Sequence, residues 1–206
     1  MPIKDTYRTL AKVSEEVTFK DRGSKFIAQA FPVESEEKIK DILEELKRSH
    51  SAANHWCYAW QLGMEETRHR SNDDGEPANS AGTPIYGQIK SFDLTDVLVV
   101  VTRYFGGTKL GVGGLKNAYK TAAQMALVQA DQITRTLTIQ FELEFDYPEM
   151  GKVMRMIREN NLLVAEQQLE LNCRFLLQVR KKDFDRIQER FSELQRVSFK
   201  KLPNQR

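Results

Sequence analysis

Long apolar runs, cysteines and any large excess of one charge are scarce in this 206-residue chain. Its longest strongly apolar run, Val97 to Val101, falls far short of the ~20 residues a membrane-spanning helix requires, so no membrane role is expected. Met1 to Thr6 carries a charge pair and no apolar core, so no secretory signal is expected either. Cys57 and Cys173 form no Cys-x-x-Cys pair, which excludes a zinc knuckle or a dithiol redox motif. Both read as reduced core thiols of a cytoplasmic protein. Thirty-one basic residues against 29 acidic ones leave a net charge of +2. That excludes binding by bulk phosphate neutralisation, though not a local basic patch. Glycine is sparse outside the middle of the chain, since nine of the eleven lie between Gly63 and Gly114.

What is present is enough for a folded core: 40% of residues are hydrophobic, and the length suits one large domain or two small ones. Val13–Lys20 and Lys25–Phe31 read as strands around a turn at Asp21 to Ser24. Ser35 is placed to cap a helix whose Ile39, Ile42, Leu43 and Leu46 share one face. His55–Leu62 alternates as a strand, with Cys57 and Ala59 on one side and Trp56, Tyr58 and Trp60 on the other. Glu65–Ser80 reads as a surface loop, and Pro84 suits the first turn of a short helix. Val97–Tyr104 reads as a strand buried on both faces, and Leu115–Ala130 as a helix with Ala118, Tyr119, Ala122 and Ala126 inward. Beyond a break at residues 132–136, the order βαββαβ predicts a ferredoxin-like domain. The expected class is α+β, with domains at 1–133 and 134–206.

Chemistry is most concentrated between Arg103 and Lys116. Glycines there let main-chain N–H groups approach a ligand, and a helix start offers unpaired donors to an anion. Arg103, Gly106, Gly107, Lys109, Gly111, Gly113, Gly114 and Lys116 form the candidate anion or nucleic-acid site, with Lys120 nearby. Neither the Walker A spacing nor the dinucleotide fingerprint Gly-x-Gly-x-x-Gly is matched, and a tight turn with close helix packing is the alternative. Asp73, Asp74 and Glu76 place three carboxylates in four residues, with His55 and His69 as neighbours. Such a set suits proton transfer or a divalent ion; an acidic turn that caps the following helix is the alternative. His55, Asp74 and Glu76 are the catalytic candidates. Ser80 and Thr83 lie in no nucleophile elbow, and Cys57 in its apolar strand reads as inert. His50 and His69 read as surface residues. Near the C-terminus, Arg174, Gln178 and Arg180 share a strand face, with Arg196 and Lys200 as neighbours, but that face has no stacking aromatic.

Four ordered motifs carry a resemblance: Arg22-Gly23-Ser24-Lys25-Phe26-Ile27; His55 through Ala59; Asp73-Asp74-Gly75-Glu76-Pro77 followed by Ala81-Gly82-Thr83-Pro84; and Arg103-Tyr104-Phe105-Gly106-Gly107 through Leu115. Together they resemble the YigZ/IMPACT family in its bacterial two-domain form. The resemblance implies an N-terminal domain like the second domain of a small-subunit ribosomal protein and a ferredoxin-like C-terminal domain. It also implies relatives that regulate translation. Two readings follow: a regulatory protein that binds RNA, the ribosome or a translation-regulatory protein, and an enzyme acting on a nucleotide or phosphorylated small molecule. No cofactor and no metal are expected.

Overall fold

The structure, a computed structural model, describes residues 5–64 and 66–202; the N-terminal reading over Met1 to Lys4 lies outside them. The chain forms two compact units, one of residues 7–135 and one of residues 5–6 with 136–202.

The first unit is built on a five-stranded antiparallel sheet of β2 (Val17–Asp21), β3 (Ser24–Pro32), β4 (His55–Leu62), β5 (Arg68–Asn72) and β6 (Val97–Tyr104). The order is β2-β3-β6-β4-β5, which puts the continuous apolar run of β6 at the centre. Its side chains alternate between two cores. Leu98 and Val100 pack with Trp60 and with Ile39, Ile42 and Leu46 of α1 (Glu36–Ser49). Val97, Val99 and Val101 pack with Cys57, Ala59 and the apolar faces of α2 (Gly82–Ser91) and α3 (Gly111–Gln129). Ser35 caps α1 by accepting the Lys38 N–H at 3.2 Å. A short ladder joins β1 (Thr6–Leu10) to β7 (Gln132–Thr136).

The second unit contains β8 (Thr138–Asp146), α4 (Met150–Glu159), β9 (Leu163–Gln168), β10 (Asn172–Arg180), α5 (Phe184–Ser192) and β11 (Val197–Lys201). Its sheet order, β11-β8-β10-β9, is that of a ferredoxin-like fold. Ile139, Phe141, Leu143 and Phe145 point into one core with the apolar faces of α4 and α5. Asp5 belongs here: its backbone carbonyl accepts the Leu137 N–H at 2.7 Å, and its carboxylate pairs with Arg180 at 3.0 Å.

Two expectations need correction. The segment read as a loop from Glu65 contains β5, which pairs with β4 through Tyr58–Asn72 and Leu62–Arg68. Helix α3 begins at Gly111, four residues before Leu115, so Gly111, Gly113 and Gly114 lie in its first turn. No helix among the described residues is long and apolar enough to cross a membrane.

Candidate functional site

Antiparallel pairing brings the sequence motifs to one end of the five-stranded sheet. Lys25 at the start of β3 lies opposite Tyr104 at the end of β6, and His55 at the start of β4 lies opposite Arg103. After β5, residues 73–76 turn back over His55. This bend uses Asp74 and Gly75 at φ 42° and 87°, and the Glu76 N–H donates to the Asp73 carbonyl at 2.9 Å.

Glu76 is the centre of the cluster. Its Oε1 accepts from Arg103 Nη1 at 2.6 Å and from the Tyr119 hydroxyl at 2.7 Å, while His55 Nε2 stands 4.0 Å away. The Glu76 side chain is only 4% exposed and that of Arg103 6%, so this is a buried ion pair. Arg103 Nη2 reaches Ser24 Oγ at 3.3 Å, and its guanidinium lies between the rings of Phe26 and Phe105. Ser24 Oγ also accepts the Gly106 N–H at 3.2 Å. His55 Nδ1 donates to the Asp74 carbonyl at 2.8 Å, which leaves Nε2 as the free ring nitrogen. Cys57 Sγ lies 3.0 Å from the Asp73 carbonyl oxygen and 3.3 Å from the Tyr119 hydroxyl. Burial pushes both the Cys57 thiol and the Tyr119 hydroxyl up, which favours the protonated form of each.

The acidic turn does structural work. Asp73 Oδ1 accepts the Ala81 and Gly82 N–H groups at 2.9 and 2.8 Å, capping α2, and Oδ2 accepts the Asn79 N–H. Asp74 Oδ2 accepts the Trp56 N–H at 2.7 Å. Among the described residues no three of His, Cys, Asp and Glu are grouped to hold a metal ion. His50 is not a simple surface residue, since its ring nitrogens meet the Tyr104 hydroxyl and Glu16 at 3.0 and 3.2 Å.

The glycines divide by role. A Cβ on Gly106 would stand 1.9 Å from the Gly23 carbonyl carbon, so this glycine is required by chain contact rather than by a ligand. Gly107 and Gly111 have φ of 85° and 73°, and a Cβ at Gly107, Gly111 or Gly113 meets nothing within 4 Å. Gly114 packs near Leu110. Residues 105–109 and 111–113 are exposed, as are Lys116 and Lys120. Leu110, at the N-cap of α3, makes no side-chain capping bond, and among the described residues no other side chain is seen capping this helix start. His55, Asp74, Glu76, Arg103 and Gly106 therefore form one cluster, with Arg103 turned inward to Glu76. Lys109 and Lys116 belong to the exposed surface. Ser24 and Tyr119 complete the cluster and were missed as site residues; Ser24 lies inside a sequence motif, whereas nothing local marks Tyr119 beyond its place on an apolar helix face. In the second unit, the cations Arg174 and Arg180 are engaged by Glu142 and Asp5.

Residues 22–127 match the model of the Impact N-terminal domain. The chain belongs to the IMPACT family. It is 34% identical over 171 residues to the IMPACT family member YvyE of Bacillus subtilis, spanning 83% of this chain and 79% of that protein. It is 40% identical over 115 residues to the Saccharomyces cerevisiae Protein IMPACT homolog, spanning 53% of this chain and 43% of that one. The crystal structure of a hypothetical protein aligns with a TM-score of 0.71 at 22% identity, covering 98% of this chain and all of the other, which bears on the fold alone. All four sequence motifs fall within or on the edge of the matched domain.

Proposed function

We propose that this IMPACT-family chain is a cytoplasmic, translation-associated regulatory protein that binds structured RNA through the surface where Gly106–Leu110 enters α3. One observation carries the reading: an exposed glycine turn leads into the uncapped start of a 19-residue helix, with Lys109 and Lys116 exposed beside it. Free N–H donors at the positive end of a helix, with adjacent ammonium groups, suit phosphate oxygens. Family membership supports the link to translation, since the resemblance implies relatives that regulate it. A binding role is favoured over catalysis by the engagement of the acidic turn. Asp73 caps α2, Asp74 holds the Trp56 N–H, and Glu76 is paired with Arg103. A carboxylate so engaged is a poor general base.

Fluorescence anisotropy with a labelled RNA hairpin tests the reading. Lys109→Ala combined with Lys116→Ala should weaken binding by about tenfold or more with the circular dichroism spectrum unchanged. Equal affinity of the two proteins removes this surface as the site. Binding to a protein partner that survives nuclease treatment, with no affinity for the hairpin, replaces RNA with protein as the partner.

A further inference from the structure

We infer that the surface at the start of α3 takes an unpaired nucleotide of the RNA, with its base stacked on the outward face of Phe105. The inference rests on the reading of that surface as a phosphate site and adds a partner for the base. Phe105 follows the last residue of β6 and opens the glycine turn. At 45% exposure it is the one Phe, Tyr or Trp among the described residues of the first unit that stands exposed. Val112, in the first turn of α3, is exposed as well, so both ends of the glycine turn present apolar surface.

The backbone that carries the ring is held from two sides. The Phe105 N–H donates to Asn54 Oδ1 at 2.8 Å, and the Gly106 N–H donates to Ser24 Oγ at 3.2 Å. Gly106 also packs against the Gly23 backbone too closely to admit a Cβ. Behind the ring lies the Arg103 guanidinium, 5.5 Å from the Phe105 ring centre and 5.4 Å from that of Phe26. Phe26 and Arg103 are buried, so Phe26, the guanidinium and Phe105 form a layered stack that is closed at one end and open at the other. An aromatic ring fixed in this way offers a flat face with little side-chain freedom left to lose.

The neighbouring chemistry selects the occupant. A cover for the buried cation would use the inner face of the ring alone and leaves the exposed face unexplained. Gly107 and Lys109 are exposed in the same turn and Lys116 on α3, where N–H and ammonium groups suit phosphate oxygens. An aromatic face beside phosphate donors is the pairing that holds single-stranded nucleic acid, with stacking on the base and charge on the backbone. Bases inside an A-form stem are stacked on one another, so the nucleotide comes from a loop, a bulge or an end. Stacking tolerates any base, and a purine offers the larger face.

The test uses the full chain and two RNA hairpins with the same stem, one with an adenine loop and one with abasic sites throughout the loop. The second keeps every phosphate and removes only the loop bases. The adenine-loop hairpin should bind at least about tenfold tighter than the abasic one. Phe105→Leu should erase that margin while leaving the abasic-loop affinity and the salt slope unchanged, and Phe105→Trp should keep the margin. In the isotope-labelled chain, the Phe105 ring protons should move upfield with the adenine loop and stay in place with the abasic loop. Equal binding of the two hairpins, a margin that survives Phe105→Leu, equal weakening of both hairpins by that variant, or unmoved ring protons would each overturn the proposal. Binding that depends on Lys109 and Lys116 but shows no margin overturns this inference alone; absence of binding to either hairpin overturns it together with the reading beneath it.

Discussion

In the unit of residues 7–135, Glu76 and Arg103 form an ion pair closed to solvent at the end of a sheet, held further by Tyr119 and Ser24. In the unit containing residues 136–202, Glu142 is also buried, but its partner Arg174 is 57% exposed. The first arrangement locks four motifs to one another across the fold. The second satisfies a single carboxylate on a polar sheet face. Burial of both charges makes the first pair costly to break, whereas water can take over for the freed guanidinium in the second. The motif cluster is thus a buried foundation beside the exposed turn and helix start, which is where the proposed function puts contact with RNA.

The largest expected effect breaks that contrast directly. Glu76→Ala should destabilise the first unit by about 3–5 kcal/mol, because Arg103 is left buried without its carboxylate. Glu142→Ala should cost about 1 kcal/mol or less, because Arg174 reaches water. Urea unfolding of both variants measures the difference, and equal losses would erase the distinction. Glycine gives a smaller version of the same comparison. Gly106→Ala forces a Cβ into the Gly23 backbone and should cost about 1–3 kcal/mol or more. Gly151→Ala, in the first turn of α4 with open space around it, should stabilise by up to about 1 kcal/mol.

The smallest effect concerns acid. Arg180 hydrogen-bonds Asp5 and holds its carboxyl below the ordinary value of 3.8. A depressed carboxylate stabilises the fold above its unfolded value, and that contribution is lost as pH falls through the folded one. The second unit should therefore weaken below pH 3.8, and Asp5→Asn should flatten this part of the acid profile. An unchanged profile would show that the pair has no such influence.

Much of the fold was legible where side chains alternate against a core. The alternation of His55 to Leu62 and the run Val97 to Val101 announced their strands, and the four residues Ile39, Ile42, Leu43 and Leu46 announced α1. Strand β5 was not legible because Arg-His-Arg-Ser-Asn contains no apolar residue: it is held by backbone pairing to β4 at an exposed edge. The start of α3 was obscured because Gly-Val-Gly-Gly reads as loop by propensity, although the helix continues through it. Glu142 occupies a position that alternation assigns to solvent, and only the cross-strand arginine explains its burial. At the site, the motifs marked the right segments but not the partnerships. The Glu76–Arg103 pair spans 27 residues and exists only because β4, β6 and the acidic turn meet at one sheet end.

The most direct measurement of the binding surface is the salt dependence of RNA-hairpin affinity for the full chain and for the Lys109→Ala, Lys116→Ala double variant. The logarithm of the association constant should fall linearly with the logarithm of salt concentration, and the double variant should have a slope shallower by about 2. Superimposable lines for the two proteins would contradict phosphate recognition at the start of α3.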